Sequence, residues 1–116
     1  MDFDLTKVFV FHFVISMSAV TNAGTGTGKI TGYIPYNSGE LELLFFRVES
    51  HVGSPDCNTT KRFTMRSDSP RFKNTQAVVL AAMLSGTQVT ARGLNKCDNI
   101  SNSEDLNYLC LGSIPC

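Results

Sequence analysis

The chain has 116 residues, with ten Lys and Arg balanced by ten Asp and Glu, so its formal net charge is zero. That length holds one domain at most. The charge balance excludes a protein drawn to nucleic acid or to a membrane surface by its overall field.

In chain order, Lys7 is followed by "VFVFHFVISMSAV", residues 8–20, apolar except for His12, Ser16 and Ser18. This run is shorter than the ~20 residues that span a bilayer, and it fits the apolar region of a secretory signal peptide. Small residues follow in "AVTNAGTGTG", and cleavage is predicted after Ala23, with Ala19 as the alternative. Residues 1–23 are thus read as a leader and 24–116 as a single domain. The domain keeps nine basic and eight acidic side chains once Lys7, Asp2 and Asp4 are gone. So small a core commonly needs a covalent staple.

"GTGTG", residues 24–28, reads as a flexible lead-in, and no Lys-Ser or Lys-Thr follows at the offset of a phosphate loop. "KITGYIPY" alternates as a strand, with Ile30, Gly32 and Ile34 on one side and Thr31 and Tyr33 on the other, ended by Pro35 and the turn "NSG". "ELELLFFRVES", residues 40–50, is the strongest strand. Leu44, Phe46 and Val48 are expected to face the core. Leu41, Leu43 and Phe45 form a second apolar face that requires a bulge, a covering segment or a neighbouring subunit.

"HVGSPDCNTT", residues 51–60, reads as a loop, and "KRFTMRS", residues 61–67, as a half-buried strand with Phe63 and Met65 inward. In "SPRFKNTQAVVLAAMLSG", Ser69 is expected to cap a helix and Pro70 to occupy its first position. Gly86 is expected to stop it. Ala77, Leu80, Ala81 and Leu84 recur at helical spacing, and Val78, Val79, Ala82 and Met83 widen the apolar surface, which predicts a well-buried helix over 70–85. "TQVTARGL" alternates through Val89 and Ala91, "NKCDNISNSED" is turn-rich, and "LNYLCLG", residues 106–112, reads as a last strand.

All four cysteines, Cys57, Cys97, Cys110 and Cys116, follow the leader. An even count in a small exported chain reads as two disulfides. Three pairings exist; the favoured one joins Cys57 to Cys97 and Cys110 to Cys116. Zinc is not expected, because no C-x-x-C occurs and His51 is the only histidine beyond the leader. Asp98, Glu104 and Asp105 lack the ligand spacing of an EF-hand loop. No metal or cofactor is predicted.

The order of elements, three strands, a helix and two strands, predicts a mainly β protein: a five-stranded OB-fold-like Greek-key barrel with its helix between the third and fourth strands. The alternative is an α+β open antiparallel sheet with one packed helix. The stretch "AVVLAAMLSGTQVTARG" followed by Cys97 resembles the helix, Gly turn and next strand of small secreted bacterial OB-fold proteins, the pentameric B subunits of toxins. Within them it looks most like the subtilase-cytotoxin B-subunit-like group. It also resembles small exported proteins of environmental Gram-negative bacteria with a pattern matched here by Cys57, Arg62, Phe63, Pro70, Lys73, Leu80, Ala81, Ala82, Gly86, Val89, Gly93, Cys97, Asp105 and Tyr108. The toxin subunits usually carry a cysteine pair on their early strands, and this chain has no cysteine before Cys57. The resemblance implies a secreted or periplasmic binding module, assembled as a pentamer, that recognises a cell-surface glycan or another protein.

Catalysis is not expected. His51 reads as a solvated loop histidine without a partner for general-base work, and Glu40 and Glu42 as an exposed strand pair. Tyr33 and Tyr36 are the candidate ligand contacts, because a tyrosine offers a stacking ring and a hydroxyl. Lys61, Arg62, Arg66, Arg71 and Lys73 cluster near Phe63 and Phe72, a pattern OB-folds use on nucleic acid, although export and disulfides argue against that partner. A third reading is a periplasmic structural or inhibitory protein-binding domain.

Overall fold

The computed structural model describes residues 23–116. The predicted leader, apart from Ala23, lies outside the described residues. Strand β1 is Thr25–Ser38, β2 Leu41–Val52 and β3 Phe63–Arg66; helix α1 is Phe72–Ser85, β4 Gln88–Gly93 and β5 Glu104–Leu111. The strands form a closed barrel in the ring order β1-β2-β3-β5-β4. All pairs are antiparallel except β3 with β5. The mainly β fold with one helix between β3 and β4 is the expected class.

The lead-in is a correction to the sequence reading. "GTGTG" opens β1, pairing with β4 from Thr25↔Arg92 to Lys29↔Gln88 and with β2 from Thr25↔Val52 to Thr27↔Ser50. Its glycines answer crowding within the barrel and not a need for flexibility. A Cβ on Gly26 would collide with Val48 Cγ2 and sit 2.9 Å from Phe63 Cε2. Gly28 has φ +110°, where the β1–β2 register first shifts, between Thr27 and Ile30. That shift and a second between Ile30 and Gly32 break the expected alternation. Ile30 lies in the core and Tyr33 packs against it, while Ile34 is exposed. Nor does Pro35 end the strand; it pairs with Leu44 and β1 continues to Ser38.

In β2, Leu44, Phe46 and Val48 enter the core beside Phe63, Met65, Val89, Ala91 and Leu106. The opposite face is covered within the same chain. Leu43 and Phe45 are buried, and Phe45 meets the edge of Tyr36 with ring centroids 5.6 Å apart.

The helix begins later than predicted and buries only part of its wide apolar surface. Arg71 occupies the N-cap position without a side-chain cap. Ser69 Oγ instead accepts the Arg71 N–H within the preceding turn, at 3.3 Å. Gly86 does stop the helix: at φ 70° its N–H reaches Ala82 O and Met83 O. Phe72, Thr75, Val79 and Ala82 are the buried residues. Leu84 is 87% exposed, and Ala77 and Ala81 also face outward. Apolar residues occur around much of this helix, so spacing alone did not identify which stripe meets the barrel. Phe72 and Val79, with the Tyr33 hydroxyl accepting from Gln76 Nε2 at 3.0 Å, fix the orientation.

Two disulfides close the chain, Cys57–Cys97 and Cys110–Cys116, with none of the cysteines free. Such bridges fit an oxidising, extracellular or periplasmic setting. Among the described residues no helix is long and apolar enough to cross a membrane.

Candidate functional site

β3 and β5 pair in parallel at two positions only, Phe63↔Glu104 and Thr64↔Asp105. Beyond them lies a cleft of about 360 Å³. β3 contributes Thr64 and Arg66, the turn before α1 contributes Asp68, Ser69 and Arg71, and the segment after β4 contributes Lys96 and Asn99.

The segment after β4 is held in place by Asp105. The Leu94 N–H donates to Asp105 O at 2.9 Å, and the Asp105 N–H donates to Lys96 O at 2.9 Å. The Asp105 carboxylate accepts the N–H groups of Asp98 and Asn99, at 3.3 and 3.1 Å. The Cys57–Cys97 bridge fastens the same segment from its other side. Lys96 and Asn99 are therefore presented from a tethered backbone.

The charges around the cleft are unequal in their partners. Arg66 forks onto Asp68 through Nε and Nη2, at 3.2 and 2.8 Å. Lys96 Nζ lies 3.2 Å from Asp98. Arg71 has no ion pair among the described residues. Thr64, which also lines the cleft, is fully buried, and its hydroxyl has no hydrogen-bond partner among the described residues. Guanidinium, ammonium, amide and hydroxyl groups converging in this way can hydrogen-bond a polar ligand.

The structure separates the residues that sequence reasoning grouped together. Arg66 and Arg71 meet at the cleft. Arg62 belongs elsewhere: its guanidinium carbon sits 4.2 Å from the Phe45 centroid. Its Nε donates to Thr60 and Ser103, at 3.0 and 3.1 Å, and its Nη2 to Asn102 Oδ1 at 3.0 Å. Lys61 and Lys73 are exposed and do not line the cleft. Tyr33 and Tyr36 do not meet at a site. Tyr33 is half-buried and ties β1 to α1, whereas Tyr36 is exposed against Phe45. Lys96, Asn99 and Thr64 were missed. They converge only because β5 runs beside β3, and local sequence carries no signal of that pairing.

His51 is a further correction. It lies within β2, its ring tilted against Phe63 with centroids 5.1 Å apart. Both ring nitrogens are buried without a hydrogen-bond partner among the described residues. Burial, followed by the positive charges of Lys61 and Arg47, lowers its pKa below the usual histidine value of 6.5. The sequence reading ended β2 at Ser50, which placed this side chain in a loop. The third buried polar feature is Glu104, fully enclosed where β5 begins. Its carboxylate accepts the N–H groups of Gly24 and Asn95.

No protein-family model, curated protein or solved structure matches the chain.

Proposed function

We propose that this protein is an exported, non-catalytic binding module that recognises a glycan or another protein through the cleft between β3 and β5. The observation that carries the reading is the convergence of Arg66, Arg71, Lys96 and Asn99 on one tethered cleft of about 360 Å³. Arg71, which has no ion pair among the described residues, is left for a ligand to satisfy. The nearest histidine chemistry, His51, is neutral-leaning and does not line the cleft. Two disulfides support the export half of the reading.

The likeness to pentameric toxin B subunits belongs to the same proposal. Ala77, Ala81 and Leu84 give α1 an outward apolar stripe, which supports assembly with further copies. Native mass spectrometry tests it: an oligomer that Leu84→Glu reduces to monomers supports the assembly, and a monomer at working concentration refutes it.

The ligand is tested on a broad glycan array with the mature protein. Binding that is lost in Arg71→Ala and in Lys96→Ala supports the glycan reading. Silence on the array turns the proposal to its alternative, a periplasmic structural or inhibitory domain that binds protein.

A further inference from the structure

Glu104 is fully buried, yet among the described residues no Lys, Arg or His forms an ion pair with it. Its carboxylate is instead enclosed by backbone. The Gly24 N–H reaches both oxygens, Oε2 at 3.0 Å and Oε1 at 3.2 Å, and the Asn95 N–H donates to Oε2 at 2.8 Å. Glycine is needed on two sides of this pocket. A Cβ on Gly93 would collide with the carboxylate, and one on Gly24 would lie 2.5 Å from Oε1 and 2.8 Å from His51 Nε2. A buried carboxylate without a countercharge is unfavourable, and here one backbone nitrogen faces both of its oxygens.

That nitrogen belongs to the bond at which the leader is predicted to be cut. We infer that leader removal at Ala23–Gly24 creates the missing countercharge: the new α-ammonium of Gly24 forms a buried ion pair with Glu104 and locks the mature barrel. The inference rests on the export reading above. In the cleavage, a signal peptidase of the export route adds water across the Ala23–Gly24 peptide bond. Ala23 departs as a carboxylate, and the released amine takes a proton to become the ammonium. The Gly24 nitrogen then has three N–H donors in place of one. Two are matched by Glu104 Oε1 and Oε2, and the unpartnered Nε2 of His51 packs against the same residue. Gly24 O also accepts the Gly93 N–H at 2.9 Å, which holds the new terminus against β4.

The experiment uses the protein secreted with its own leader. Intact mass first locates the new terminus. Amine labelling with peptide mapping then compares the Gly24 amine in the folded protein and in urea. A start at Gly24, with labelling slowed about tenfold or more by folding, is the expected result; that factor corresponds to one pKa unit. A variant retaining three extra residues before Gly24 should melt about 4 °C or more below the mature protein. Glu104→Gln should abolish that difference, and the labelling result stands even where this variant fails to fold. A start at Gly24 with equal labelling and no effect of the extension overturns the lock and leaves export standing. So does a start at Val20, after Ala19. A full-length product that keeps its leader overturns both.

Discussion

The guanidinium of Arg62 sits over Phe45 with its central carbon 4.2 Å from the ring centroid, while its nitrogens bind Thr60, Asn102 and Ser103. One side chain thus covers the outer face of β2 and ties it to the segment before β5. Arg62→Ala uncovers the ring and frees three polar partners at once. The expected loss is about 2–3 kcal/mol, from charge-assisted hydrogen bonds and a cation–π contact. Arg62→Lys should recover only part of it, because an ammonium cannot reproduce the planar fork. Urea denaturation measures both; a lysine variant as stable as the parent would assign the effect to charge alone.

Two glycines of β1 should respond very differently to the same added methyl. Gly26→Ala drives a Cβ into Val48 and Phe63, and overpacking of this kind costs about 1–3 kcal/mol. At Gly32 the added Cβ meets nothing within 4 Å, so Gly32→Ala should stay within about 0.5 kcal/mol of the parent. Chemical denaturation of the two variants side by side checks the contrast.

The two disulfides should differ in worth. Cys57–Cys97 spans 40 residues and Cys110–Cys116 spans 6. The chain-entropy relation assigns about 4 kcal/mol to the first and about 2 kcal/mol to the second. Paired Cys→Ala variants, unfolded in urea, should keep that order. Loss of the first bridge should also loosen the segment carrying Lys96 and Asn99, seen as faster amide exchange over 94–99.

His51 predicts sensitivity to acid. Its folded pKa is depressed, by burial first and by Lys61 and Arg47 next. The unfolded chain therefore takes up a proton near 6.5 while the folded chain does not. Stability from this group is complete above 6.5 and falls with pH until the depressed folded value is passed. The Glu104 carboxylate and the imidazole both border Gly24. His51→Phe keeps a ring against Phe63 and should flatten the stability profile between pH 7 and 5. An unchanged slope would assign the acid sensitivity to other groups.

Much of the fold was legible because its signals are local. Alternation in "LLFFRV" put Leu44, Phe46 and Val48 inside, and Gly86 ended the helix where a left-handed residue was needed. The favoured cysteine pairing is also the one the structure contains. The failures have physical reasons of equal clarity. Two register shifts in β1 broke the alternation that grouped Ile34 with Ile30 and set Tyr33 opposite them, and the apolar surface of α1 offered more than one stripe. Glycines 24 and 26 imitate a flexible composition, yet each is small because another side chain already fills the space.

By itself the sequence determined element type and order, the apolar alternation of β2 and the oxidised character of the chain, because propensity, spacing and cysteine count act over a few neighbouring residues. Only the tertiary structure decided which helix face is buried, that Arg62 covers Phe45, that Lys96 and Asn99 join Arg66 and Arg71 at one cleft, and that Glu104 lies against the Gly24 nitrogen. The last two arise where β5 closes the ring between β3 and β4, bringing together residues as far apart as 80 positions. Closure is a property of the whole barrel and leaves no trace in any single stretch of it.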